Sequence, residues 1–410
     1  MSFPSISRRL VAALLCCGLL SPAAAGELLD TLSWDGFVET YQALQLAAPQ
    51  DTQGSRARAR LRLYAGEGDR QLFARITAER DLAFEGNRIE LDEGYLDLVG
   101  RGWDARLGRQ VVIWGRADGL RIVDRVSTLD SSESLTRELD EVRLGVDALR
   151  LRRLDDSSQI TLIWSPRFRP GRAPSEVWAL PDPVPEGVAR AGVERPGSAL
   201  DAGVFAARWS YYGAGLDLAV SVLHTWEDLP SLDRESGADG AITLVPRHHR
   251  LTLWGLEFAR PWQSFVFRGE AVYIQGQRFE PADWRDPLRR EDLLHWMLGL
   301  DWTPGNNWTL IAQVSDAWIP GYGQGLASEA HTPVLTLGLT ADLLRETLEF
   351  SNLLFVRPNE QGYYNRLSLD YAVTDRFHAG LGLDLFGGEE GAFAFYKEND
   401  QLWLKLKYSF

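Results

Sequence analysis

The chain has 410 residues, with 43 Lys and Arg against 57 Asp and Glu for a formal charge of −14. That balance argues against nucleic acid or an anionic-lipid surface as a partner. The only cysteines, Cys16 and Cys17, sit near the N-terminus, so no disulfide framework serves the rest.

Arg8 and Arg9 precede an apolar run, Leu10 to Leu20, followed by Ser21, Pro22 and the small trio Ala23, Ala24 and Ala25. A charged start, a short hydrophobic stretch and an A-x-A-like site predict a secretory signal peptide over residues 1–25. Leu15 and Cys16 stand where a lipoprotein signal needs small residues, so lipid attachment is rejected. Residues 26–410 then hold 41 basic and 57 acidic side chains, a charge of −16, and no cysteine. No later run reaches the roughly 18 apolar residues of a membrane helix. With 45% hydrophobic residues, 15 Trp and 38 Gly over its whole length, the chain suits many short amphipathic strands. Two classes remain, a periplasmic β-protein and an outer-membrane barrel.

In chain order, the first strand is predicted over Leu32–Gln45. The second, Gly54–Tyr64, puts Ala57, Ala59, Leu61 and Leu63 on one face and Arg56, Arg58, Arg60 and Arg62 on the other. A turn at Ala65–Asp69 leads to a third strand with Leu72, Ala74, Ile76 and Ala78 opposite Arg75 and Glu79. Strands near Arg88–Val99 and Asp104–Trp114 meet at Gly100–Trp103. Arg109 shares a parity with Leu107 and Val111, which predicts a bulge near Gly108. Further short turns fall near Asp155–Ser158, Tyr212–Gly215, Arg260–Gln263, Thr303–Asn307, Ala341–Arg345 and Val373–Arg376, and they alternate with longer polar loops. The reading is all-β: a single closed antiparallel transmembrane β-barrel of about eighteen strands, with sixteen as the alternative count. Its short turns are periplasmic and its long loops external.

Aromatic placement separates the two classes. Trp103, Tyr211, Trp262, Trp302, Trp308, Tyr371 and Phe377 lie in or beside the short turns. Such rings prefer the headgroup level of a bilayer, whereas a periplasmic sandwich or propeller has no reason to collect them there. The last strand alternates Leu402, Leu404, Leu406, Tyr408 and Phe410 with Gln401, Trp403, Lys405, Lys407 and Ser409. The first set suits lipid, and the two lysines suit a wet lumen.

Two features are candidates for function. Arg56, Arg58, Arg60 and Arg62 form a column that cannot face lipid, where each would cost about 2–4 kcal/mol at midplane. With Arg75 and Glu79 they are the expected selectivity residues, able to guide anions unless carboxylates such as Glu39, Glu79 and Glu93 pair with them. The second feature is a long third loop, residues 116–142. Leu120, Ile122, Val123, Val126 and Leu129 give it packing groups, and Arg116, Asp118, Arg121, Asp124 and Arg125 give it charge of both signs. A loop so composed is expected to fold toward the lumen and constrict it, with an external lid as the alternative.

The runs GRQVVIWG, ADGLRIVDRVS and LDEVRLGVDALRL resemble those of a porin-like, mostly uncharacterised group of Gram-negative outer-membrane barrels, distantly similar to alginate-export-type channels. The similarity covers about Tyr95–Leu151 and the C-terminal strand. It implies outer-membrane lipid as the setting and the barrel-assembly machinery as a partner. Leu404, Leu406, Tyr408 and Phe410 would be the signal that machinery reads. It also implies a channel or exporter. No catalytic set is expected, because His224, His248, His249, His295, His331 and His378 are scattered. No cofactor or metal is expected either. The first reading is a channel for small polar or anionic solutes, with export of an anionic saccharide as its finer form. The second is a non-conducting barrel serving as anchor, receptor or partner of a periplasmic lipid or polysaccharide export system.

Overall fold

The computed structural model describes residues 31–410 except 48–50, 83–85, 134, 183, 198–201, 239, 306 and 324. The signal segment 1–25 lies outside the described residues. The wall begins with β1 (Ser33–Gln45), β2 (Thr52–Ala65), β3 (Arg70–Asp81), β4 (Gly86–Gly100), β5 (Trp103–Gln110), β6 (Val146–Leu154) and β7 (Ser158–Ser165). A two-residue loop strand follows, β8 (Ala189–Arg190), and then wall strands β9 (Val204–Gly213) and β10 (Leu216–Trp226). The next loop holds β11 (Ser231–Ser236) and β12 (Ile242–Arg247). The wall continues through β13 (Arg250–Trp262), β14 (Phe265–Phe279), β15 (Arg289–Trp302), β16 (Trp308–Trp318) and β17 (His331–Leu343). It ends with β18 (Leu348–Arg357), β19 (Gly362–Thr374), β20 (Phe377–Gly387) and β21 (Gln401–Ser409).

Every wall strand pairs antiparallel with the next, and β21 returns to β1 from Phe37↔Ser409 to Gln45↔Gln401. The eighteen wall strands therefore close without an edge. Backbone bonds between Gly36 and Phe410, 3.0 and 3.2 Å, finish the seam at the short-turn end. Tight hairpins need positive φ, and the β9–β10 turn has it at Ala214 (52°) and Gly215 (71°).

The alternation read from the sequence sets the two faces. Val38, Leu107, Leu256, Leu298, Leu337, Leu381 and Leu404 are exposed on the outward face, as lipid-contacting groups should be. Trp103, Trp262, Trp302, Trp308 and Tyr371 are outward and exposed near the short turns. Trp262, Phe265 and Trp302 stack there at centroid distances of 6.3 and 6.1 Å. Inside, Trp403 is buried because its neighbour on β20 is Gly382, where a Cβ would lie 2.2 Å from the indole.

Two expectations need correction. No register shift occurs in the pairing of β5 with β4 or β6, so the bulge near Gly108 is absent. Gly108 instead takes φ 128°, and Arg109 is satisfied on the outward side by a two-point bond to Asp147 (2.7 and 3.0 Å). The long loops also hold more structure than polar linkers would. β8, β11 and β12 form a small sheet, and helical turns span Leu139–Val142 and Gly391–Phe395.

Phe410 packs its ring 5.6 Å from Trp34 across the β1–β21 seam. Deleting Phe410 removes that contact and both seam bonds. The expected outcome is a several-fold loss of heat-modifiable folded barrel in the outer membrane with export unchanged, measured by pulse-labelling and semi-native gels.

Candidate functional site

Beyond Gln110 the chain turns into the lumen. Glu257 on β13 is fully buried and Glu270 on β14 nearly so, and both point at this segment. Glu270 accepts the backbone N–H groups of Arg116, Ala117 (2.6 Å) and Val123 (3.1 Å), and Glu257 accepts that of Gly115 (3.2 Å). Gln313 on β16 bonds both backbone groups of Asp118, at 3.0 and 2.8 Å. Such non-strand backbone at membrane depth is tolerated only where protein or water satisfies it. The loop's apolar residues complete the docking: Trp114, Ile122, Val123 and Val126 are buried with Val204, Leu223, Leu253, Val272 and Met297 of the β9–β15 wall. At Gly119 a Cβ would lie 2.8 Å from the Phe355 ring on β18. The third loop is thus a partition across the lumen.

Its second half crosses to β2 and β19. Glu133 pairs with Arg56 (2.5 Å) and Glu141 with Arg58 (2.6 Å), while the Tyr364 hydroxyl donates to the Leu135 carbonyl (2.7 Å). The arginine column is therefore largely compensated. Arg58 also pairs with Glu39 at 2.8 Å, and Arg56 and Arg58 are each 4% exposed, too covered to meet a solute. Arg60 donates to Thr77 (3.1 Å) and lies 3.9 Å from Asp92, while Arg62 pairs with Asp35 at 2.5 Å and stays open to water. Arg75 reaches Asp92 and Glu93 (3.5 and 3.3 Å). Glu79 serves Arg88 and Arg137, not the column.

Of the five loop residues singled out, Arg116 (3.2 Å from Asp217) and Asp118 (bonded to Arg268) remain partly open. The other three are internal struts. Arg121 holds Asp228 and the carbonyls of Asp124 and Ser127, Asp124 takes Arg143 at 2.7 Å, and Arg125 caps the carbonyls of Ile122 and Arg121. Sequence reasoning missed the receiving groups Glu257, Glu270, Arg268 and Gln313. A signal existed: Glu257 follows Leu251, Leu253 and Gly255 on an inward face that is otherwise apolar.

The remaining lumen carries charge of both signs on different strands. On β21, Lys405 and Lys407 face inward beside Phe37, with the Lys407 ammonium 4.7 Å from that ring. Neither lysine has a carboxylate within ion-pair distance among the described residues. Asp342, Glu349 and Asp370 sit on adjacent strands β17, β18 and β19 through direct register pairs. Only β20 separates β19 from β21, so the two signs lie on one stretch of the wall.

A closed barrel with an outward apolar band, an aromatic girdle and an inward third loop is a porin-type β-barrel of Gram-negative outer membranes. Within that class the chain belongs to the family described as "Protein of unknown function (DUF1302)", which matches residues 47–410. No curated protein matches it. Among solved structures it is similar to Acinetobacter baumannii OccAB4, at 10% identity and TM-score 0.55, covering 92% of this chain and 98% of that one. It is also similar to Pseudomonas aeruginosa OccK2 (OpdF) in complex with glucuronate, at 10% identity and TM-score 0.54, with 93% and 98% covered. Pseudomonas aeruginosa OccK5 (OpdH) gives 9% identity, TM-score 0.53 and the same coverage. At such identities the likeness is one of fold.

Two outcomes follow from the docking. Glu270→Ala strands three buried N–H groups, each worth about 1–3 kcal/mol when unsatisfied. Larger and noisier single-channel current is expected, recorded in planar bilayers. Burial alone would raise the Glu141 carboxyl, but the Arg58 guanidinium beside it outweighs this and holds it at about 2. Asp130 is opposed by burial too, yet Ser132 and Arg172 keep it well below the usual carboxylate range. Both folded values lie under the unfolded ones, so their stabilisation is complete above about pH 5 and is lost progressively as pH falls toward 2 and below. Conductance should stay constant from about pH 7 to 5 and become unsteady below about pH 3.

Proposed function

We propose that the chain is a passive channel for small polar solutes, with a preference for anions and with transport rather than catalysis as its role. The observation that carries this reading is the strip formed by Lys405, Lys407 and the partly open Arg60 and Arg62 on neighbouring strands β21, β1 and β2. Fixed charge on a pore wall biases which ions enter. Lys405 lies in the field of Glu141 and Glu349, so the strip attracts anions without holding them permanently. The column read from the sequence contributes less, because its outer two members brace the third loop. Carboxylated sugars, the class of the glucuronate in the OccK2 structure, are the solutes to test first, and outward passage of an anionic saccharide is the finer form of the same proposal.

Bilayer recordings of the double variant Lys405→Gln, Lys407→Gln test it. Anion-over-cation permeability should fall several-fold, more at low salt where screening is weaker. The external-loop change Arg285→Gln should leave it as it was. Unchanged selectivity in a conducting barrel would remove the lysines from the path. A wild-type barrel that conducts nothing would favour the anchor or receptor reading instead.

A further inference from the structure

Two hollows on the outward face meet at His224. The first, about 500 Å³, is apolar and runs over β6, β7, β9 and β10 between Leu151, Leu162, Trp164, Phe205 and the small Ala207. The second, about 750 Å³, is polar and lies at the long-loop end of β13, β14 and β15, lined by Arg250, Thr252, Tyr273, Gln275 and Arg290. Register pairs place Phe205, His224, Thr252 and Gln275 in one lateral row. The row below it, toward midplane, is Ala207, Val222, Trp254 and Tyr273. These rows are roughly 6.8 Å apart, so the surface passes from polar to apolar within one pleat.

The polar hollow is suited to an anion. Arg290 is exposed and enters no ion pair among the described residues. Arg250 is held in place over the Trp226 ring at 4.1 Å and by the Gly203 carbonyl (2.7 Å). His224 lies 3.0 Å from the Thr252 hydroxyl. Two carboxylates share the hollow. Asp292 accepts from the Tyr273 hydroxyl (2.5 Å) and the Gly276 N–H (3.1 Å), while Glu291 lies against Gly321. An interfacial aromatic girdle accounts for Trp254 and Phe205, but it does not account for a polar row joined to an apolar trough around an alanine.

We propose that the joined hollows seat one phosphorylated, acylated lipid of the outer leaflet. Its phosphate meets Arg290 and Arg250, and an acyl chain descends past His224 into the trough at Ala207. The occupant is a lipid and not a free phosphate, because the long-loop rim places the polar end at headgroup level and the trough at chain level.

The test is native mass spectrometry of the full barrel in detergent, titrated with bis-phosphorylated lipid A. Arg290→Gln, Ala207→Phe and the short-turn control Arg153→Gln are compared, with heat-modifiable mobility reporting the fold of each. Wild type and the control should retain one lipid A. Arg290→Gln and Ala207→Phe, one at each end of the groove, should each weaken retention about tenfold. Three results would overturn the proposal: retention no stronger than that of phosphatidylethanolamine, both folded variants binding like wild type, or inorganic phosphate competing fully while Ala207→Phe has no effect.

Discussion

Closure of β21 onto β1 is the constraint from which the rest of this structure follows. In hydrocarbon a backbone amide has no water to bond, so a strand survives only when both of its edges are paired. The nine register pairs from Phe37↔Ser409 to Gln45↔Gln401 remove the last edge, and they also impose the two faces. Once the seam is set, Leu404 and Val38 must meet lipid, while Trp403, Lys405 and Glu39 must face inward. The polar column on β2 and the oily column beside it are two consequences of one pairing.

The same rule governs the third loop. Its segment Gly115–Val123 is irregular backbone inside the barrel, and it is held because Glu257, Glu270 and Gln313 supply acceptors that a strand neighbour would otherwise supply. Carboxylates suit this work, since each oxygen accepts more than one donor. Arg208 in turn meets Glu257 at 2.7 Å, so the buried charge is paired on one side and hydrogen-bonded on the other. Breaking such an arrangement from either side leaves an uncompensated group, costing about 3–5 kcal/mol for a buried pair. The partition is therefore built into the wall.

Compensation also decides what the lumen offers a solute. Arg56 and Arg58 look like the strongest cations of the column, but each spends its charge on a carboxylate from the third loop or from β1. Lys405 and Lys407, in register with Arg56 and Arg58 through Tyr41 and Glu39 of β1, enter no ion pair among the described residues and keep their charge for the water-filled side. Strands β17 to β19, with β19 separated from β21 by β20 alone, carry Asp342, Glu349 and Asp370. The cationic strip arises from closure, because Lys405 and Lys407 come beside the β2 arginines, with β1 between, only once β21 pairs with β1.

Periodicity by itself determined the architecture: the outward and inward sets, the eight short turns, the aromatic rim and the terminal strand were all legible, because a β-strand exposes its period of two locally. The third loop's composition likewise announced a packed segment and not a floppy one. The bulge expected at Gly108 failed because parity shows which face Arg109 occupies, while only the neighbouring strand supplies Asp147 to satisfy it. Tertiary structure alone decided which charges remain available. Glu133 and Glu141 lie 77 and 83 positions from the arginines they neutralise, and Glu270 lies more than 145 from the amides it accepts. Pairing at that range depends on how the loop crosses the lumen, and no local spacing in the chain records it.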